Sequence, residues 1–372
     1  MQIDEYGFDE REEIIMNDFF KKVIQQQEQN LPFVLYCKPN SDSIIGMFQQ
    51  NDTLYTVVDF TESGFVFSSF DGNKNFLIPE KQSEIKHFVF EKKDNIEIEK
   101  GFVSPNENIK SDFELLVAKG IQEIEGSKFE KVVLSRKEII AVPDFDLVVT
   151  FERLVSLYPA TFVYCFFHPK IGMWMGATPE QLVKVEGDTF KTMALAGTQK
   201  NTGYEEVVWH DKEKKEQQFV TDFIVSELNK VSKSILVSEP YSMKAGSIWH
   251  IKTDISAQLN STRNLKEVIG LLHPTPAVCG LPKLESKKFI LDNENYERTF
   301  YTGYLGELNC IFSSDSASTD LFVNLRCMQI EFGSDVETKA NLFMGCGITK
   351  DSIPEKEWEE SVNKSMTMKR VL

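Results

Sequence analysis

The 372-residue chain is 41% apolar and 26% charged, enough to bury a large core and too apolar for a disordered polymer. Its 57 acidic against 41 basic side chains leave a net charge of −16, which repels phosphate backbones and anionic lipid, so nucleic acid and membrane surfaces are poor partners. The start MQIDEYGFDEREE lacks a basic or apolar leader, and no apolar run nears the roughly 18 residues of a membrane span, which points to the cytoplasm.

In chain order, residues 8–30 read as an amphipathic helix, followed by the strand-like runs PFVLYC, LYTVVDF and GFVFSSF between polar turns. The charged stretch at 91–100 has the composition of a linker. A helix is predicted from about Ser111, with Ser111 and Glu114 as a capping box. Then come strand KVVLSRKEII, helix DLVVTFERLVSLYP, strands FVYCFFH, GMWMGA, QLVKVEG and FKTMALAG, and a long helix from about Tyr204 to Val231. Strands around YLGELNC, LFVNLRCMQIEF and ANLFMGCGI precede a final helix from about Pro354. Strands joined by short turns favour antiparallel sheets with helices packed outside, an α+β fold. Residues 1–104 carry little diagnostic pattern and 105–372 carry nearly all of it; together they read most simply as one continuous structural domain.

The usual nucleotide, zinc-protease and serine-hydrolase motifs are absent. The six cysteines lie mostly in apolar stretches without CxxC spacing and read as buried thiols, and the five histidines lack ligand spacing and read as structural. The informative acids come in pairs. Glu213 and Glu216 share one helix face, Glu357 and Glu360 another, with Lys364 one turn beyond. Four carboxylates with no Cys or His beside them suit a hard cation such as Mg²⁺, although the same spacing among lysines also describes ordinary solvated helix. The turns GATPE (176–180), ALAGT (194–198) and GCGI (345–348) set small residues at strand ends, where backbone N–H groups can approach an anion. HPTPAVCG (273–280) is a proline-stiffened loop.

These segments, in this order and together with KVVLSR (131–136), DKEKKEQ (211–217), TGYLGEL (302–308) and LFVNLR (321–326), resemble the chorismate-utilising enzymes, and among them the isochorismate synthases. The resemblance runs from about residue 105 to 372. It implies two stacked sheets with helices outside and a Mg²⁺ ion between protein carboxylates and the substrate. Glu216 and Glu360 would be its principal ligands, assisted by Glu213 and Glu357. Arg326 and Lys364 would hold substrate carboxylates, with Gly197, Thr198, Gly345 and Gly347 offering backbone contacts. The chain departs from the family at Gln217, where His is usual, and at Ser361, where Thr is common.

Every member of this family expels the 4-hydroxyl of chorismate, and Glu180 of GATPE matches the acid that protonates it. Lys131 matches the base that activates water for C2; such a base needs a shifted pKa, for which Arg136 is a candidate neighbour. Ala196 stands where aminodeoxychorismate synthases carry a nucleophilic Lys, which leaves water as nucleophile and no call for a glutaminase subunit. Ala277 stands where salicylate synthases tend to carry Thr, which favours stopping at isochorismate, with salicylate formation by pyruvate loss as the alternative. The expected activity is that of a Mg²⁺-dependent isomerase acting on chorismate, feeding menaquinone or a catechol siderophore.

Overall fold

The protein's structure is a computed structural model that describes residues 10–91, 107–200, 207–245, 248–260, 265–312, 316–333 and 337–372. Two antiparallel sheets dominate it. The first runs, in spatial order, Gly280–Leu281, Lys131–Ala141, Lys339–Ile348, Cys327–Glu331, Gly172–Thr178, Phe162–His168, Phe33–Cys37, Ser43–Gln49 and Ser83–Val89. The second runs Ser232–Val237, Ile248–Leu259, Thr189–Lys200, Gln181–Glu186, Ser318–Val323, Tyr304–Cys310, Gly64–Ser68, Asn75–Pro79 and Tyr55–Thr56, with Tyr241–Ala245 paired to Ile248–Leu259 beside it. The α+β architecture is therefore as expected, and the strands of the first hundred residues extend one end of both sheets.

Continuous apolar runs such as FVLYC form strands buried on both faces. Val34 and Tyr36 point between the sheets, where they join Phe67, Phe166, Trp174, Phe300 and Phe322. Phe33, Leu35 and Cys37 point the other way, onto the helices Glu10–Glu28 and Leu147–Leu157. The outer face of the second sheet is closed in the same way by Asp211–Leu228, through Val220, Ile224 and Leu228, and by Leu265–Leu272. The result is four layers: helices, sheet, sheet, helices. No helix among the described residues is long and apolar enough to cross a membrane.

Several expected boundaries move. The helix predicted from Ser111 begins at Glu107, so Ser111 lies a turn inside it and caps nothing; Glu114 Oε1 is buried without a hydrogen-bond partner. The long helix spans Asp211–Leu228 rather than 204–231, because Glu213 closes its start by accepting a hydrogen bond from the extended His210 N–H at 3.1 Å. Residues 201–206 and 92–100 lie outside the described residues. LYTVVDF contributes only the two-residue strand Tyr55–Thr56. The three strands between Ser232 and Leu259 have no counterpart in the sequence reading: Ser232–Val237 is polar and largely exposed, and Ile248–Leu259 does alternate, with Ile251, Thr253, Ile255, Ala257 and Leu259 buried, an alternation the sequence reading passed over.

Phe67 lies between the rings of Phe166 and Phe300, at centroid distances of 4.4 and 4.5 Å. Phe67→Ala should cost about 3–5 kcal/mol of unfolding free energy. Urea titration should show this as a lower midpoint with an unchanged slope.

Candidate active site

A single cavity receives Glu180, Gly197, Thr198, Glu216, Ala277, Arg326, Gly345, Gly347 and Lys364, residues drawn from both sheets, from the 273–280 loop and from the two acid-bearing helices. Ala196 also lines it. Lys131 does not. Its side chain is fully buried behind the cavity wall, with Nζ 3.0 Å from Glu216 Oε1. The contact is close but poorly aligned, so Nζ donates no well-formed hydrogen bond.

Strand alternation explains the glycines. Gly345 and Gly347 face the cavity, and a Cβ at Gly347 would collide with the Glu216 carboxylate and stand 3.2 Å from Lys131 Cε. Only glycine leaves room there for the ion pair. Burial raises the Glu216 pKa, but Lys131, Lys212 and Lys364 outweigh it, so the carboxylate is held below its usual range and stays ionised.

Glu180 is the opposite case. It ends the strand Gly172–Thr178 through the Thr178–Pro179 turn, is 4% exposed, and its pKa is pushed up to about 8 by burial, with Lys131 and Lys364 only partly opposing. With a pKa of about 8, most of the carboxyl is protonated at neutral pH, where a free carboxyl is fully ionised. The cavity thus contains a carboxylic acid that keeps its proton.

Two cations stand opposite. Arg326, in the left-handed region at φ 45°, makes two long contacts, to Thr367 Oγ1 at 3.5 Å and His250 Nε2 at 3.4 Å. Lys364 Nζ donates to Gly345 O at 2.8 Å and to Glu360 Oε1 at 2.7 Å. His250 is a site residue that the sequence reading passed over as structural. Burial, then Arg326 and Lys364, drive its pKa down to about 3, so the ring is neutral. Because a guanidinium can only donate, Nε2 accepts from Arg326 and Nδ1 carries the proton, donated to Gly197 O at 3.0 Å. That carbonyl is turned inward by a break in strand register between Ala196 and Thr198, where Gly197 adopts φ +74°. A lone His between apolar strand residues carries no spacing signal that would have found it.

The acids expected to bind metal separate into two groups. Glu213 is turned back to the helix start as the partner of His210 N–H and does not line the cavity. Glu216, Glu357 and Glu360 each face one lysine: Lys131 at 3.0 Å, Lys212 at 2.5 Å and Lys364 at 2.7 Å. Glu357 is almost fully buried, and burial followed by the neighbouring Glu360 raises its pKa against the pull of Lys212. Glu357, Glu360 and Cys346 bring one donor atom each within 4.8 Å of one another. The expectation that no Cys stands beside the acids is therefore corrected: residue 346 faces away from its glycine neighbours toward the helix Pro354–Lys369. Its thiol is held protonated by burial and donates to Glu357 O at 3.3 Å, so the oxygens are the available donors. The Glu357 and Glu360 carboxylates lie close together and form an oxygen donor pair that suits a hard divalent cation, provided Lys212 and Lys364 yield their contacts; Glu216 lies outside that group.

The two departures from the family pattern are absorbed locally. Gln217 Nε2 donates to Thr221 and Thr253, and Ser361 Oγ accepts from Arg136 Nε at 2.7 Å. Arg136, offered as a neighbour for Lys131, is instead bound to Glu138 and stacked 4.4 Å over Trp358.

Residues 67–372 match the model of the chorismate binding enzyme family, a span that begins before the expected boundary near 105. The chain is 30% identical over 268 residues to isochorismate synthase MenF of Pasteurella multocida, covering 69% of this chain and 60% of that one. It thus spans only 60% of that relative's length. It is 27% identical over 308 residues to isochorismate synthase EntC of Escherichia coli, covering 80% and 75%. The structure of the menaquinone-specific isochorismate synthase MenF of Escherichia coli superposes with a TM-score of 0.75 at 20% identity, over 92% of this chain and 88% of that one, a likeness of fold. The family match over most of the sequence decides membership: this chain belongs to the chorismate-binding enzymes.

Proposed function

We propose that the protein converts chorismate to isochorismate. One observation carries the reading: a buried carboxyl that keeps its proton, Glu180, faces the same cavity as two cations, Arg326 and Lys364. Chorismate presents two carboxylates and a 4-hydroxyl that leaves only when protonated. Arg326 and Lys364 pair with the carboxylates, while His250 keeps the guanidinium oriented from behind. Glu180 delivers its proton to the departing oxygen. Lys131 must first part from Glu216, reach past the cavity wall and release its ammonium proton to solvent; in its neutral form it takes a proton from the water that adds at C2, and the double bonds shift as the 4-oxygen leaves. Atoms balance, since one water enters and one departs. Ala196 on the wall supports water as the nucleophile, because no amine stands there. Ala277 lines the same cavity and puts a methyl group where salicylate synthases tend to carry Thr, which supports a reaction that stops at isochorismate.

Mg²⁺ would be held by Glu216, Glu357 and Glu360 and would supply positive charge to anchor a substrate carboxylate. Glu213, committed to the helix start, takes no part.

The direct test is chromatography of products from purified protein with chorismate and Mg²⁺. Chorismate and isochorismate hold the same kinds of bonds, so either compound should relax to one stable mixture of both; steady accumulation of salicylate and pyruvate would overturn the reading. Glu216→Gln and Glu360→Gln should each lose most activity with an unchanged circular dichroism spectrum. Chelator should abolish wild-type turnover.

Glu180 acts from its protonated form, so its ionisation should give forward turnover an alkaline limb that falls as pH rises through about 8. Glu180→Gln should lose this alkaline limb together with ~10²–10⁴-fold in rate. A variant keeping both rate and limb would remove Glu180 from the mechanism.

A further inference from the structure

Resting on that functional reading, we infer that Arg298 is a positioning residue, a buried clamp that fixes the strand of Lys131 against the loop of Ala277. Arg298 is 3% exposed and touches no part of the cavity lining directly assigned to substrate. Its guanidinium has five N–H donors. All five are spent: Nε and Nη2 on the two oxygens of Glu294 at 2.8 and 2.6 Å, Nη2 also on Val133 O at 2.7 Å, Nη1 on Val278 O at 2.9 Å and Thr302 Oγ1 at 3.2 Å. The ring of Phe70, from the N-terminal part of the chain, lies 4.6 Å away and covers the guanidinium face.

The three acceptors other than Glu294 belong to three separate walls of the cavity. Val133 lies two residues along the strand from Lys131, Val278 follows Ala277, and Thr302 follows Tyr301. Glu294 extends the clamp by accepting from both the N–H and the hydroxyl of Ser135, each at 2.8 Å, again on the Lys131 strand. Among the described residues no backbone hydrogen bond joins Val278 to Thr302, and this planar side chain bridges them. The ladder at Gly280–Leu281 continues through the Val133 N–H, which donates to Cys279 O at 2.8 Å, so backbone bonds hold the Lys131 strand to the loop as far as Cys279 and Arg298 carries the tie on to Val278 beside Ala277. A lysine at 298 would keep the charge facing Glu294 but has three donors on one nitrogen and cannot span the same acceptors.

The test uses the full chain, Mg²⁺ and chorismate. Arg298→Lys, with Glu294→Asp as the second variant that retains both charges, should lose about ten- to a hundredfold in kcat with KM for chorismate within about threefold, because Arg326 and Lys364 are untouched. Phe20→Ala, in the distant helix-facing cluster, is the control for stability alone: it should unfold at lower temperature and keep kcat. All rates are taken well below each variant's own unfolding midpoint. Amide exchange should quicken in the two segments 131–141 and 273–280 of Arg298→Lys and at the Thr302 turn, and not elsewhere. A kcat loss no larger than that of Phe20→Ala overturns the inference. Wild-type protein that leaves chorismate unchanged overturns the functional reading instead; the clamp then stands if exchange quickens in those two segments and falls if it does not.

Discussion

A carboxylate beside two apolar sheets is costly unless a cation meets it, and here three glutamates are met by three lysines. Breaking such a pair by removing one partner costs about 3–5 kcal/mol, because the survivor is left buried and alone. The matching therefore dictates which residues can stand near the cavity. Glu180, the one buried acid of the cavity without a lysine in contact, answers the same constraint by keeping its proton. Ionised and protonated carboxyls a short distance apart are the acid and anchor roles that an elimination from an anionic substrate needs.

The sheets are what make the constraint severe. Because the central strands of both sheets are covered on both faces, their residues alternate between two dry interiors, whereas outer strands such as Ser83–Val89 and Ser232–Val237 keep exposed positions. Polar side chains on the inner faces consequently appear as pairs with named partners, such as Tyr36 donating to Glu307 at 2.6 Å and Tyr164 donating to Asn324 at 2.6 Å. Glycine is required where two polar groups crowd one strand, and Gly347 beneath Glu216 is the clearest instance.

The first hundred residues, silent in motif terms, are not peripheral. They extend both sheets and supply Phe67 to the aromatic layer and Phe70 to the face of Arg298. Their composition shows no chemistry because their contribution is shape: they bury the back of the turn at Tyr301 and Thr302 that closes the cavity.

Read alone, the residues reveal the α+β layering, since apolar runs separated by short turns leave few other ways to bury them, and the motif order brings Glu180, Gly197, Thr198, Arg326, Gly345 and Lys364 together as family members. Local spacing also places Glu213 beside Glu216 and Glu357 beside Glu360, but periodicity encodes only a shared helix face. Which acid of a pair turns inward depends on the helix start, where His210 claims Glu213, and on partners far away in sequence, as with Lys212 and Glu357, 145 residues apart. His250, Cys346 and Arg298 belong to the same class. Each is an ordinary strand or loop residue until packing brings a guanidinium, two carboxylates, or two carbonyls and a hydroxyl against it, and that juxtaposition is decided by the stacking of the sheets.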